Sequence, residues 1–354
     1  MSELQISLPK VRRPAIPTGL FDSKSNGVIT LLCLAVVMWL LVPLWRWAIT
    51  DAVWRGLAQD CAADGAGACW AFVGVKFRFI VFGFYPPDLQ WRPALVILGI
   101  VLLLFVSAKP RFWSNRLILL WFLAIPLAWL VMAGQLVGPA VPTNQWGGLP
   151  ITILVSLVGL AAAFPIALLL ALARRSNMAI LRLLAVGFIE CLRGVPLIAV
   201  LYVAMLIVPM ALPADALLDK LLRAQVGITL FVSAYLAEVI RAGLQSIPAG
   251  QTEAAYSLGL GYWRTAQLVV LPQALRAVIP AIVNLSIGIL LNTSLLAVIG
   301  ISDLLNAAKT AAADPNWLGF YTETFIFAAC VYFAISFSAS RYSGWLETRL
   351  RARR

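Results

Sequence analysis

Residues 149–173 read LPITILVSLVGLAAAFPIALLLALA, a run without one charged side chain. A helix of this length rises to about 37 Å, more than the roughly 30 Å of hydrocarbon in a bilayer. Seven further apolar stretches flank it, at 28–48, 93–108, 117–136, 193–211, 225–243, 277–298 and 322–342. The second is short, and the fifth has an alternative start near residue 180. The first follows basic residues (Lys10, Arg12, Arg13, Lys24), as a signal peptide would. Its apolar run is too long for one, and Trp39, Trp45 and Trp47 stand where small cleavage-site residues belong, so an uncleaved helix is expected. The spans predict an all-α polytopic membrane protein with about eight transmembrane helices.

Composition agrees. Of the 354 residues, 62% are hydrophobic and 12% charged, about half the usual charged share of soluble domains. Mean hydropathy is +0.92. An ordinary soluble enzyme, a disordered chain and a fibrous protein are excluded. The sequence has no histidine, which removes the usual neutral-pH base and most metal sites. Neither a catalytic constellation nor a metal site is expected.

The formal net charge of +12 is an orientation signal and calls for no nucleic-acid partner. With the N-terminus inside and strict alternation, most of the 27 Lys and Arg residues fall on one face, including the tail Arg349, Arg351, Arg353 and Arg354. Both termini are therefore expected in the cytoplasm. The largest outer segment, 49–92, is dense in aromatic residues that suit the headgroup level of the lipid. It also holds Cys61 and Cys69, which could pair if the loop faces an oxidising compartment; their spacing alone does not decide it. Cys33, Cys191 and Cys330 lie in apolar stretches and read as small hydrophobes.

Between the sixth and seventh spans, residues 244–276 read LQSIPAGQTEAAYSLGLGYWRTAQLVVLPQALR. Pro248 can open a helix and Glu253 favours its N-terminal half. Gly259 and Gly261 can end it, and a second helical segment, Tyr262 to Leu271, is expected to stop at Pro272. The pattern reads as two short helices about a glycine elbow, either a plain connecting loop or a knob that fits a partner's groove.

The string Glu253-Ala254-Ala255, then Gly259, then Leu271-Pro272 resembles the signature of ABC-importer membrane subunits. Ile189–Tyr202, Ser233–Ala255 and Leu290–Leu305 resemble the polar-amino-acid branch of that family. The extension with Cys69-Trp70-Ala71-Phe72 and Tyr85-Pro86-Pro87 resembles the general L-amino-acid permease subunits of Gram-negative bacteria. The resemblance implies an inner-membrane permease for amino acids whose last five spans form the type I importer core. It implies three parts: a 1–145 extension with three spans and a periplasmic loop, taken as a peripheral addition, a 146–347 permease domain and a 348–354 basic tail. The 248–272 loop would then be the coupling helix, docking through Glu253, Ala254, Ala255, Gly259, Leu271 and Pro272. The implied partners are two ATPase subunits that carry the ATP and Mg, a periplasmic amino-acid-binding protein, and a second, homologous permease subunit. The sequence contains no Gly-x-x-x-x-Gly-Lys-Ser/Thr phosphate loop, so no cofactor is expected on this chain. The family often places Lys before the Asn-Thr-Ser string; here Leu291 precedes Asn292.

Ionisable and polar groups inside spans are costly and need a reason. Glu238 and Arg241 share a helix face, either as an internal pair or as a contact on the translocation path. Asn292, Thr293 and Ser294 cover most of a helix circumference, so one must face a partner helix or water; the hydroxyls could equally bond back to their own carbonyls. On the path reading, Glu238 receives a substrate ammonium and the 292–294 string either end of the zwitterion. Glu190 and Arg193, three residues apart, read as structural, with a gate at the cytoplasmic surface as the alternative. An ion-coupled secondary transporter would show an internal repeat, and none is clear. A non-transporting membrane scaffold subunit is the remaining alternative.

Overall fold

A computed structural model describes residues 20–136, 138–211 and 218–351; the expected basic residues Lys10, Arg12 and Arg13 and the end of the tail lie outside them. The elements are helical apart from one two-residue strand, Ser302–Asp303. The chain forms two compact units, meeting in sequence between Phe72 and Val73.

The first unit contains α1 (Lys24–Trp45), which runs on through a wide π turn at Arg46–Thr50, and the short α2 (Ala58–Cys61). Ser23 caps α1, its hydroxyl accepting from the Asn26 amide. No residue of α1 is buried, as expected where lipid is the surroundings. Beyond it Cys61 is bonded to Cys69, with Cα atoms 5.5 Å apart. Trp70 packs against Trp47 and Trp54 and donates its indole N–H to the Ala48 carbonyl at 2.8 Å. Gly67 is needed here, because a Cβ would lie 2.4 Å from the Trp47 carbonyl oxygen. The bond closes a loop of eight residues, worth about 2.5 kcal/mol by loop-closure entropy. Cys61→Ser is expected to lower the stability of this unit by that order, read by thiol labelling of Cys69 against temperature.

The second unit begins within α3 (Trp70–Phe82) and continues with α4 (Trp91–Ser107), α5 (Asn115–Ala133), α6 (Gly148–Arg174), α7 (Ala179–Arg193), α8 (Leu197–Tyr202) and α9 (Val208–Ala211). It closes with α10 (Lys220–Gln245), α11 (Ala249–Ser257), α12 (Tyr262–Thr265), α13 (Leu271–Ala277), α14 (Ile279–Asn292), α15 (Leu304–Ala312) and α16 (Tyr321–Arg351). Among the described residues seven helical stretches are long and apolar enough to cross a membrane: Lys24–Thr50, Pro87–Ser107, Asn115–Ala133, Gly148–Arg174, Lys220–Gln245, Ile279–Ile299 and Tyr321–Arg349. The expected fifth span is a broken pair, Ala179–Arg193 and Leu197–Ala211, bent by 103°. Gly194 and Pro196 sit at the break; proline cannot continue a helix, and the residue before it is driven out of the helical region.

Two prolines are carried inside helices by the same device. A π turn at Val203–Ile207 precedes Pro209, and one at Ala266–Val270 precedes Pro272. The widened turn makes room for a ring that would collide with the carbonyl four residues back. In the first case Arg223 donates to the Met205 carbonyl at 3.1 Å, serving the acceptor that Pro209 leaves without an amide.

The early spans α4 and α5 pack onto the later helices along one side and leave most of their surface outward. Tyr85, Val96, Ile100, Ala128, Met132 and Trp146 share one apolar cluster with Ile151, Leu154, Leu201, Ile228 and Leu296 from the later helices. The Tyr85 hydroxyl donates to the Met132 carbonyl at 2.7 Å within it. Three backbone segments cross where this junction is tightest. Gly147 and Gly148 bridge to Ser302 and Asp303, and Gly83 abuts Gly147. Asp303 is fully buried and caps α15, accepting from the Leu305 and Asn306 amides and from the Tyr332 hydroxyl. Burial pushes its carboxyl above the ordinary range against those bonds. Lys76 of α3 pairs with Asp314, holding that carboxyl below its usual range.

Candidate translocation cleft and partner-facing segment

A cleft of about 160 Å³ opens between α10 and α14, lined by Phe231, Val232, Tyr235, Leu285, Gly288, Ile289 and Asn292. It adjoins a small recess reaching Leu197, Ile228 and Thr293. The two rings on α10 are one turn apart, with centroids at 4.8 Å. The walls are apolar and aromatic, with the Asn292 amide and the Tyr235 hydroxyl as the polar groups, the usual make-up of a small-molecule site.

The string at 292–294 divides. Asn292 ends α14 and is exposed to the cleft. A 3₁₀ turn over Thr293–Ile299 then tightens the helix. Thr293, 1% exposed, donates to the Leu290 carbonyl at 2.7 Å, and Ser294 donates to the Leu291 carbonyl at 2.9 Å. Both hydroxyls thus donate to carbonyls of their own helix, and the Asn292 amide is the member of the string that faces the cleft.

Glu238 does not line the cleft. It lies one turn further along α10, among three arginines. Its carboxylate is 2.9 Å from Arg174, 2.8 Å from Arg241 and 3.9 Å from Arg193. Glu190 joins the same lattice, 2.9 Å from Arg174 and 3.9 Å from Arg193. The spacing in sequence shows the two pairs three apart, Glu190 with Arg193 and Glu238 with Arg241. It gives no sign of Arg174, which ends α6 and joins them. The lattice holds α6, α7 and α10 together beside the 103° bend. Removing the central acid leaves three guanidinium groups around one position. Glu238→Gln is expected to destabilise the purified protein by less than the roughly 3–5 kcal/mol of a fully buried pair, because water still reaches its partners. Thermal unfolding in detergent measures it; an unchanged midpoint would show the lattice to be idle.

Beyond Gln245 the chain leaves the bundle. Pro248 stands as the N-cap of α11, one residue earlier than the first helical position expected of it. The helix ends at Gly259 with φ +76°; the Leu260 amide bonds the Ala255 carbonyl and the Gly259 amide that of Tyr256. This is the paired closure that glycine makes without steric cost. Gly261 instead caps the next helix. The expected stop at Pro272 is not there: α12, the π turn and α13 carry the helix to Ala277, because the widened turn absorbs the proline. Glu253, Ala254 and Gly259 are exposed, Ala255 is buried, and Leu271 and Pro272 are half-buried at the bundle end. The sequence reading overlooked the tip: Tyr256, Leu258, Tyr262 and Trp263 are 48–81% exposed among small and polar residues. Their bulk beside a glycine turn was the available signal. Gly243 seats the segment on α10, since a Cβ there would lie 2.8 Å from the Ala274 carbonyl oxygen.

Apolar spans with a cleft between two of them and an exposed helical segment linking α10 to α14 make a polytopic membrane bundle. The family model described as "Binding-protein-dependent transport system inner membrane component" matches residues 163–352, and the chain belongs to that family. It is similar to the inner membrane amino-acid ABC transporter permease protein YhdY of Escherichia coli (strain K12), 46% identical over 340 residues, covering 94% of this chain and 91% of the relative. It is also similar to the glutamate/glutamine/aspartate/asparagine transport system permease protein BztC of Rhodobacter capsulatus, 33% identical over 401 residues, covering 94% and 92%. A crystal structure described as an amino acid ABC transporter with histidines matches at TM-score 0.51 and 29% identity, over 57% of this chain and 92% of that one. The chain is a multi-pass inner-membrane protein.

Proposed function

We propose that this chain is the pore-forming subunit of an ATP-binding-cassette importer for amino acids. The observation that carries the proposal is the segment α11–α13: a glycine-closed helix with an exposed apolar tip, standing between two spans and bearing Glu253-Ala254-Ala255 and Gly259. That shape suits docking into a groove of a separate motor. The relatives named for amino-acid transport support the substrate class. In this reading two ATPase subunits bind ATP and Mg, a periplasmic binding protein delivers the amino acid, and a second, homologous permease subunit completes the pore. The N- and C-termini face the cytoplasm, as the Lys and Arg distribution supports. The disulfide in the 49–92 loop fits an oxidising outer face. Asn292 supplies a polar contact in the cleft, and the Glu238 lattice lies between the cleft and the docking segment.

The test is uptake by the reconstituted complex across a panel of the twenty amino acids, with and without ATP inside the vesicles. Uptake that needs both ATP and the binding protein supports the proposal. Uptake driven by an ion gradient without ATP would establish the secondary-transporter alternative, and a folded complex that moves none of the twenty would leave a scaffold role.

A further inference from the structure

We propose that Arg193 receives the α-carboxylate of an amino acid as it leaves the cleft towards the docking segment. The proposal rests on the amino-acid reading above and adds a residue to it. A zwitterion in a low-dielectric space needs a partner for each charge. The cleft walls offer an amide at Asn292 and no cation, and the preceding position, Leu291, is apolar. A cation adjoins those walls through Tyr235. Its ring lines the cleft, its hydroxyl donates to the Arg193 carbonyl at 3.4 Å, and the Arg193 guanidinium lies 5.7 Å from the ring centroid.

Arg193 is also the loosest member of the lattice. Arg174 and Arg241 hold Glu238 at 2.8–2.9 Å, whereas both ion contacts of Arg193, to Glu190 and Glu238, are at 3.9 Å, beyond hydrogen-bond reach. A guanidinium at that distance keeps its planar fork for a bidentate carboxylate, while the two acids hold it in place when no substrate is near. As the last residue of α7 it sits at a helix C-terminus, where a cation is favoured. Its position at the 103° bend places a carboxylate contact at the point where α7 meets the span.

The test uses the complete transporter in nanodiscs, without binding protein or nucleotide. The probe is the tritiated amino acid that ranks first in the uptake panel, competed by the same amino acid and by its α-carboxamide, which lacks the negative charge. The wild-type complex should prefer the acid over the amide at least tenfold, and Arg193→Gln should bring that ratio near one. Arg193→Lys keeps the charge and the fold but loses the fork, and should lower the ratio at least threefold. Arg174→Gln loosens the same lattice while leaving Arg193, and should keep the wild-type ratio. The proposal is overturned if either Arg193 variant keeps the full preference, or if Arg174→Gln removes it as completely as Arg193→Gln. If wild-type complexes take up no amino acid at all, the amino-acid reading fails first, and the panel shows that separately.

Discussion

Gly259→Asp is expected to abolish ATP-driven uptake while the protein still inserts and purifies at the wild-type level. Aspartate is one of the few side chains that tolerates the left-handed region, and nothing lies within 4 Å of the position a Cβ would take, so the fold has little to resist. The change acts on the surface, placing a charge beside the exposed tip of Leu258, Tyr262 and Trp263. Disrupting a central docking contact costs about 2 kcal/mol or more, upwards of roughly thirtyfold in partner affinity. Glu253→Lys, on the exposed face of α11, should act in the same direction. Co-purification of the ATPase subunits and uptake should fall together. Full uptake by Gly259→Asp would mean the segment does not carry the motor's force.

The second large effect is on the fold. Gly148→Ala should prevent the permease from reaching its folded state in useful yield. The residue has φ +68°, where alanine costs roughly 1–2 kcal/mol, and its Cβ would lie 2.1 Å from the Val81 carbonyl oxygen. Forcing two backbones apart at a close-packed crossing adds about 1–3 kcal/mol, so the sum takes a large share of a typical 5–15 kcal/mol stability. Gly99→Ala is the control. Gly99 lies within α4 with nothing within 4 Å, and alanine there should be neutral or slightly stabilising. Size-exclusion profiles and thermal unfolding of the two variants decide it: equal behaviour would show that the crossing tolerates separation.

The contrast between these two glycines shows what the sequence could reveal. Gly259 was legible because a helix-forming run ends on it and the turn is local. Gly148 was not, because its demand comes from Val81, a partner supplied by another segment. The spans were legible for the same reason as Gly259: an apolar run of sufficient length states its own surroundings. Their packing was not. Nothing in Tyr85 or Met132 announces that the early spans share a core with Ile151 and Leu296. Likewise Glu238 and Arg241 were visible as neighbours on one helix, whereas Arg174 reaches them only once α6 and α10 are side by side. Pro272 misled because a lone proline reads as a stop, and the π turn that accommodates it follows from no single residue type. At 292–294 the residues left two uses open, and the geometry takes the local one for the two hydroxyls, which bond back to the Leu290 and Leu291 carbonyls, while Asn292 faces the cleft.

The two widened turns carry a mechanical corollary. Each stores one surplus residue, and a helix can hand such a surplus along its length by exchanging a bond or two at a time. The stretches 203–207 and 266–270 are therefore points of slack in otherwise stiff rods. If a motor docks on the segment as proposed, a push at Trp263 would be taken up as a slip in register before it reaches α14, with a matching slip beneath the bend at Gly194–Pro196. Under that docking, movement at the exposed segment and movement along the cleft wall would not have to be equal in size or simultaneous.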